Sequence, residues 1–195
     1  MFKQTVRTQL YFWLLLLFSS SSFSDWNLVN EESKLNFVSI KASDIGEVHT
    51  FKTLSGSVTD KGKALLKVNL GSVETLIPIR NERMNNLLFE TGIYPTAFFR
   101  LEVELEKILL LEEGNSFVNK YRGELELKGK QFPIEVKIKT TRLNNQSFSV
   151  ASSEPLLMNV ERLGLSEGIE SLRIIAGLPS ISKSVPVTFS LTFRK

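Results

Sequence analysis

The chain contains no cysteine and only one histidine, His49, and each shortage removes whole classes of chemistry. Without thiols there is no disulfide framework, thiolate nucleophile or soft-metal site, so the fold must rest on core burial and backbone hydrogen bonding. A lone histidine leaves a Ser-His-Asp triad one conceivable base, and no Gly-x-Ser-x-Gly elbow accompanies it. There is no glycine-rich phosphate loop, since Gly164 and Gly168 stand isolated. Carboxylates are present, but no Asp-x-Asp-x-Asp-Gly loop gathers them. Glu112-Glu113 reads as a turn, and Glu102, Glu104 and Glu106 as one solvated strand face. The expectation is no cofactor, no metal, no catalytic set and therefore no enzyme.

Charge of one sign is also missing. Lys3 and Arg7 account for two of the 24 basic residues, and the remaining 22 face 21 acidic ones. Such interspersed charge lacks the clustered basic stripe that nucleic acid demands, so no nucleic-acid partner is expected. Long apolar runs are scarce as well. The longest, Leu10 to Phe18 (LYFWLLLLF), is well short of the ~20 residues that cross a bilayer as a helix. It follows Lys3 and Arg7 and precedes a serine-rich stretch in which Ser22 and Ser24 suit the −3 and −1 positions of a signal peptidase site. Residues 1–24 are thus expected to be a signal peptide, removed near Ser24-Asp25, and 25–195 one domain in the periplasm or outside the cell.

What the sequence does have is two-residue alternation. Phe99, Leu101, Val103 and Leu105 alternate with Arg100, Glu102, Glu104 and Glu106; Tyr121, Gly123, Leu125 and Leu127 with Arg122, Glu124, Glu126 and Lys128. Ile134, Val136 and Ile138 alternate with Glu135, Lys137 and Lys139, and Val185, Val187, Phe189, Leu191 and Phe193 close the chain in the same way. Leu35 and Phe37, then Leu66, Val68 and Leu70, give shorter strands. Successive strand residues point to opposite faces, so each run has a dry side and a wet side. Asp60-Lys61-Gly62, Glu112 to Asn115 and Lys128-Gly129-Lys130 supply the turns.

One segment departs from the pattern: in Ile79 to Glu90, Met84, Leu87 and Leu88 fall at helical spacing, ended by Gly92 and Pro95. A weaker helical turn is expected around Leu156 to Leu163. Seven to nine antiparallel strands with one or two short helices predict an all-β barrel or sandwich. Alternation alone does not say which face is outside, and a membrane-spanning barrel has the same period.

Several stretches resemble the YceI-like, lipocalin-like polyisoprenoid-binding family. Trp26 to Asn30 before Ser33-Lys34-Leu35-Asn36-Phe37 is similar to its opening strands, and Leu54-Ser55-Gly56-Ser57-Val58 to its F-x-G-x-[IV] strand end. Ser72 to Thr75, Arg80-Asn81, Leu87 to Glu90 and Tyr94 to Phe99 resemble its most specific stretch, and Gly123 to Gly129 its G-x-L-x-[LI]-x-G strand and turn. Glu32-Ser33 stands where the family often has His-Ser, Asn81 where an acid commonly follows the arginine, and His49 where glycine is frequent. The resemblance implies an antiparallel eight-stranded barrel in an exported protein, holding a polyprenyl chain or quinone for transport or storage. An envelope stress or assembly factor acting by protein contact is the alternative, as is a small outer-membrane barrel.

On that reading the apolar cavity is expected to be lined by Phe37, Phe99, Leu101, Val103, Leu125, Leu127, Ile134, Val136, Ile138, Phe189 and Leu191. His49 and Arg80 are the candidate mouth contacts. For Arg80 and Arg83 the plain expectation is a local ion pair with Glu82 or Glu90. An isoprenoid or quinone-type lipid is the expected partner; transient membrane contact and a homodimer are both compatible with it.

Overall fold

The alternating runs become strands, and the computed structural model, which describes residues 25–195, joins them into one antiparallel sheet. The expected signal peptide, 1–24, lies outside the described residues. In chain order the strands are β1 (Trp26–Leu28), β2 (Lys34–Lys41), β3 (Ile45–Phe51), β4 (Leu54–Val58), β5 (Lys63–Asn69) and β6 (Val73–Glu74). Then come β7 (Thr96–Glu102), β8 (Ser116–Leu127), β9 (Lys130–Asn144), β10 (Ser147–Ser152), β11 (Leu156–Asn159) and β12 (Ser184–Arg194).

Four staves of the wall are broken in two, one of them being β5 and β6, which pair with β4 and β3 respectively. β1 and β2 run one after the other along one edge of β12, β3 and β4 pair with them in turn, and β10 and β11 share the other edge of β12. Counted as staves there are eight, each antiparallel to its chain neighbours, and Asn27↔Arg194 with Leu28↔Phe193 closes the ring. Closure leaves no long unpaired edge. Asn30 staples two of the breaks together: its Oδ1 accepts from the Leu54 N–H at 2.7 Å and its Nδ2 donates to the Lys52 carbonyl at 3.2 Å. The turn from β8 to β9 is tight because Lys128 and Gly129 both take positive φ, 50° and 70°.

The apolar face points inward. Outward positions carry charge: Arg100 pairs with Glu126 at 2.9 Å, Lys120 with Glu135 at 2.5 Å, and the Arg122 side chain is 91% exposed. A membrane-spanning barrel needs the reverse, an apolar outer belt.

Among the described residues three α-helices join the barrel, one more than the sequence suggests. The expected helix is present as α1 (Pro78–Arg83), which continues as a π-helical stretch through Met84–Phe89. The strand expected from Phe99 to Glu106 stops at Glu102, and Leu105 belongs instead to α2 (Leu105–Leu109). There the chain turns back, with the Val103 N–H held by the Gly62 carbonyl at 2.8 Å, so that Leu105 and Ile108 enter the end of the barrel. Glu104 and Glu106 therefore do not share a strand face with Glu102. The helical turn expected at 156–163 is strand β11 followed by a turn, and the helix α3 lies later, at Ser166–Ile175. Leu165 at its N-cap and Ile169 and Leu172 within it recur at helical spacing and pack on the core.

Candidate functional site

Inside the ring is a cavity of about 570 Å³, within the usual range for small-molecule pockets. Its wall is the inward face of the staves. Every apolar residue expected there lines it except Val136. Val136 points inward but is packed beneath Tyr121, its register partner, and is only 2% exposed. Gly123 shapes the wall by omission: a Cβ there would lie 2.6 Å from the Phe99 ring, so the glycine gives that ring its place.

One end is closed by stacked aromatics. Trp26 meets Phe148 at 5.1 Å between ring centres, and Phe148 stacks on Phe193 at 5.3 Å. The Arg142 guanidinium covers Trp26 at 5.3 Å, and Ile108 of α2 adds a buried apolar plug. The other end is roofed by two helices, the π-helical stretch with Met84, Leu88 and Phe89, and α3 with Ile169 and Leu172. They meet at Gly168, where a Cβ would sit 2.6 Å from the Leu87 carbonyl oxygen. Sequence reasoning missed α2 and α3; the spacings Leu105–Ile108 and Leu165–Ile169–Leu172 were the signals available for them.

Residues that both line the cavity and meet solvent mark its mouth. Ile77 and Ile79 are 43% and 49% exposed, and Ala176, just after α3, is exposed as well. The β2–β3 hairpin forms the rim, tied to the link after α3 by Ala42 N–H to Ser180 O at 3.0 Å and Ser182 N–H to Ile40 O at 2.8 Å.

The polar groups gather in this neck. Arg80 donates from Nη1 to Glu47 at 2.6 Å and from Nη2 to the Thr75 carbonyl at 2.6 Å. Its partner is thus neither Glu82 nor Glu90; Glu90 pairs with Lys128. Lys41 shares the Glu47 carboxylate at 3.0 Å. Burial raises the Glu47 pKa, but hydrogen bonds and charge from Lys41 and Arg80 outweigh it, and the group stays below the usual carboxylate range. Asn81 accepts from the Thr75 N–H at 2.9 Å and hydroxyl at 2.6 Å while donating to Glu74 at 3.1 Å. An acid at that position would accept but not donate, so asparagine suits a place beside Glu74.

His49 is 4% exposed, deeper than a rim residue. Its Nε2 lies 2.8 Å from Ser39 Oγ and its ring 5.1 Å from Phe37. Burial, helped by the Arg80 charge, pushes its pKa down, so the ring is neutral at neutral pH. With neither a carboxylate on the imidazole nor a second base beside it, this constellation is not a triad. Among the described residues no cluster of three or more metal-ligating side chains is found.

Comparison with known proteins gives a consistent picture. The model of the YceI-like domain matches residues 26–193. A polyisoprenoid binding domain from Saccharophagus degradans, implicated in plant cell wall breakdown, is similar in structure with a TM-score of 0.85 at 36% identity, covering 87% of this chain and 97% of that one. BcnA of Burkholderia cenocepacia is similar at TM-score 0.65 and 19% identity, over 85% of this chain and 98% of that one. The YCEI protein of Campylobacter jejuni follows at 0.51 and 13%, over 75% and 84%. The last two likenesses are of fold alone. No curated protein matches the chain.

Proposed function

Because the chain belongs to the YceI-like domain family, we propose that it is an exported binding protein whose barrel holds the tail of an isoprenoid-type lipid, a polyprenyl chain or prenylquinone, for transport or storage. The observation that carries this reading is the cavity itself: closed at one end by aromatics, roofed by helices, and walled by apolar side chains. Each methylene moved from water into such a tunnel contributes ~0.8 kcal/mol, so a long hydrocarbon tail is held without any charged contact. The similar domain from Saccharophagus degradans, described as polyisoprenoid binding, supports the choice of tail. Export rests on Lys3, Arg7 and the short apolar run before Ser24. Transport requires exchange with a bilayer, and the exposed Ile77 and Ile79 beside the mouth offer it an apolar contact.

The test is to purify the protein from its natural compartment, extract it with organic solvent and identify what is released by mass spectrometry. A polyprenyl lipid or prenylquinone at near-stoichiometric yield is expected. Recovery of no such lipid, combined with no uptake by the delipidated protein, would overturn the reading.

A further inference from the structure

We propose that the neck of the cavity is a headgroup site for an uncharged oxygen, a quinone-type carbonyl or a prenol hydroxyl, held by His49 and Arg80. The proposal rests on the carrier reading above and adds to it what the polar end of the ligand must be.

Two buried polar atoms of this neck have no hydrogen-bond partner: His49 Nδ1 and Arg80 Nε. Both residues line the cavity. Buried polar groups in proteins are nearly always satisfied, so two orphans in one apolar chamber point to a partner that arrives with the ligand. The imidazole is held ready for it. Ser39 fixes Nε2 and Phe37 packs beside the ring, which leaves the Nδ1 edge as the only free polar atom of a 96%-buried side chain.

The chemistry of the orphans selects the headgroup. Where the Ser39 hydroxyl donates to Nε2, Nδ1 carries the proton, and it and Arg80 Nε–H are then two unpartnered donors in the same neck, the complement of a carbonyl oxygen. In the other tautomer Nδ1 accepts from a hydroxyl whose oxygen accepts from Arg80. A phosphate suits the neck poorly. The Arg80 and Lys41 charges are already directed at Glu47, whose carboxylate would face the incoming anion, and the buried histidine is neutral. Among the described lining residues Arg83 is a third cation, not engaged with Glu47, and it favours phosphate, which the test therefore includes. A third orphan, Tyr121 Oη, stands on β8, three staves away around the wall, and would serve a ligand that entered head first.

Delipidated protein is titrated with four ligands of matched chain length: a prenylquinone, a prenol, a prenyl monophosphate and the plain isoprenoid hydrocarbon. The quinone or the prenol is expected to bind about tenfold tighter than the hydrocarbon, as one or two recovered hydrogen bonds would give. Which of the two leads identifies the source of the oxygen. H49F and R80M should each shrink that preference while hydrocarbon affinity persists, and Y121F should leave it intact. Because the chain has one histidine, the ¹⁵N imidazole spectrum of the unsubstituted, tag-free protein gives a second readout: Nδ1 should shift with quinone or prenol and not with hydrocarbon. Equal binding of hydrocarbon, tightest binding of phosphate, or a preference lost in Y121F but kept in H49F would overturn the headgroup site while leaving the carrier standing. Binding of none of the four would overturn the carrier and the site together.

Discussion

Arg80 and Glu47 meet across the mouth of the cavity, Nη1 to Oε2 at 2.6 Å, although 33 residues separate them in the chain. The contact ties α1 to the β2–β3 hairpin, and Lys41 adds a second cation to the same carboxylate. Removing the charge with Glu47→Gln leaves two cations facing each other and should cost about 1 kcal/mol near neutral pH, or about 2–4 °C in melting temperature. The pH dependence has a definite sign. The folded pKa of Glu47 is depressed, so its stabilisation is present above the unfolded carboxylate value and is lost as pH falls through the folded one. Calorimetry from pH 7 to pH 3 should show the gap between the unsubstituted protein and E47Q closing. A constant gap would mean the ion pair does not contribute.

Glu74 should be the more acid-resistant group. Hydrogen bonds from Lys52, from Asn81 and from the Leu76 N–H hold its pKa down to about 2. Leu76 is 87% exposed at a φ of 64°, a conformation unfavourable for leucine that its N–H bond to Glu74 helps to hold. The contribution of Glu74 is complete above its unfolded value near 4.5 and disappears only as pH falls toward 2. A carboxyl ¹³C titration should place it lowest among the glutamates, and E74Q should speed amide exchange from Leu76 to Arg80. Titration near 4.5 would show that this anchor is not formed in solution.

The roof of the cavity depends on Gly168. A side chain there would strike the Leu87 carbonyl at 2.6 Å and Leu88 Cα at 2.8 Å, both backbone atoms that cannot swing aside. Gly168→Val should cost about 1–3 kcal/mol through overpacking and should force α3 away from the π-helical stretch. Faster dissociation of bound lipid in stopped-flow displacement is the expected result. Unchanged release would mean that the two helices do not gate the cavity.

Exchange with membranes should depend on the exposed isoleucines at the mouth. Ile77→Ser with Ile79→Ser removes apolar surface where the cavity opens, while the deep wall is untouched. Transfer of lipid between vesicles should slow and lose its dependence on vesicle concentration, with little change in equilibrium binding. Equal transfer rates in both proteins would point to release through water instead.

The barrel was legible because alternation survives in nearly every stave, and its inward set follows from period alone. The misreadings have particular causes. Leu105 continues the alternation of Phe99, Leu101 and Val103, so period two runs on unnoticed into a helix whose own signal is the single pair Leu105–Ile108. For α3 the spacing Leu165–Ile169–Leu172 was present in the sequence, and the glycine in its first turn, Gly168, is there for close packing and not for a turn. Val136 shows what alternation cannot give: it fixes the face a residue points to, not whether that face meets a void or a neighbouring ring. Nor is the Arg80–Glu47 contact written locally, since α1 carries Glu82 in easier reach.

Ligand length should be set at the closed end, and Ile108 is the residue to change there. It is 1% exposed, lines the cavity and belongs to α2, the helix that turns into the barrel where β7 stops. Ile108→Ala removes three carbons from a packed site and should cost roughly 2–5 kcal/mol, less if the floor collapses onto the gap. If the gap stays open it joins the cavity rather than standing alone, because Ile108 is part of the wall. A longer tail can then occupy it and restore the lost contacts. Two measurements distinguish these cases: the melting temperature of the empty variant, which should fall, and its recovery on adding isoprenoid chains of increasing length. Recovery that peaks at a longer chain than in the unsubstituted protein would establish Ile108 as the stop. A peak at the same length would place the end of the tail elsewhere, at the Trp26, Phe148 and Phe193 stack or short of it.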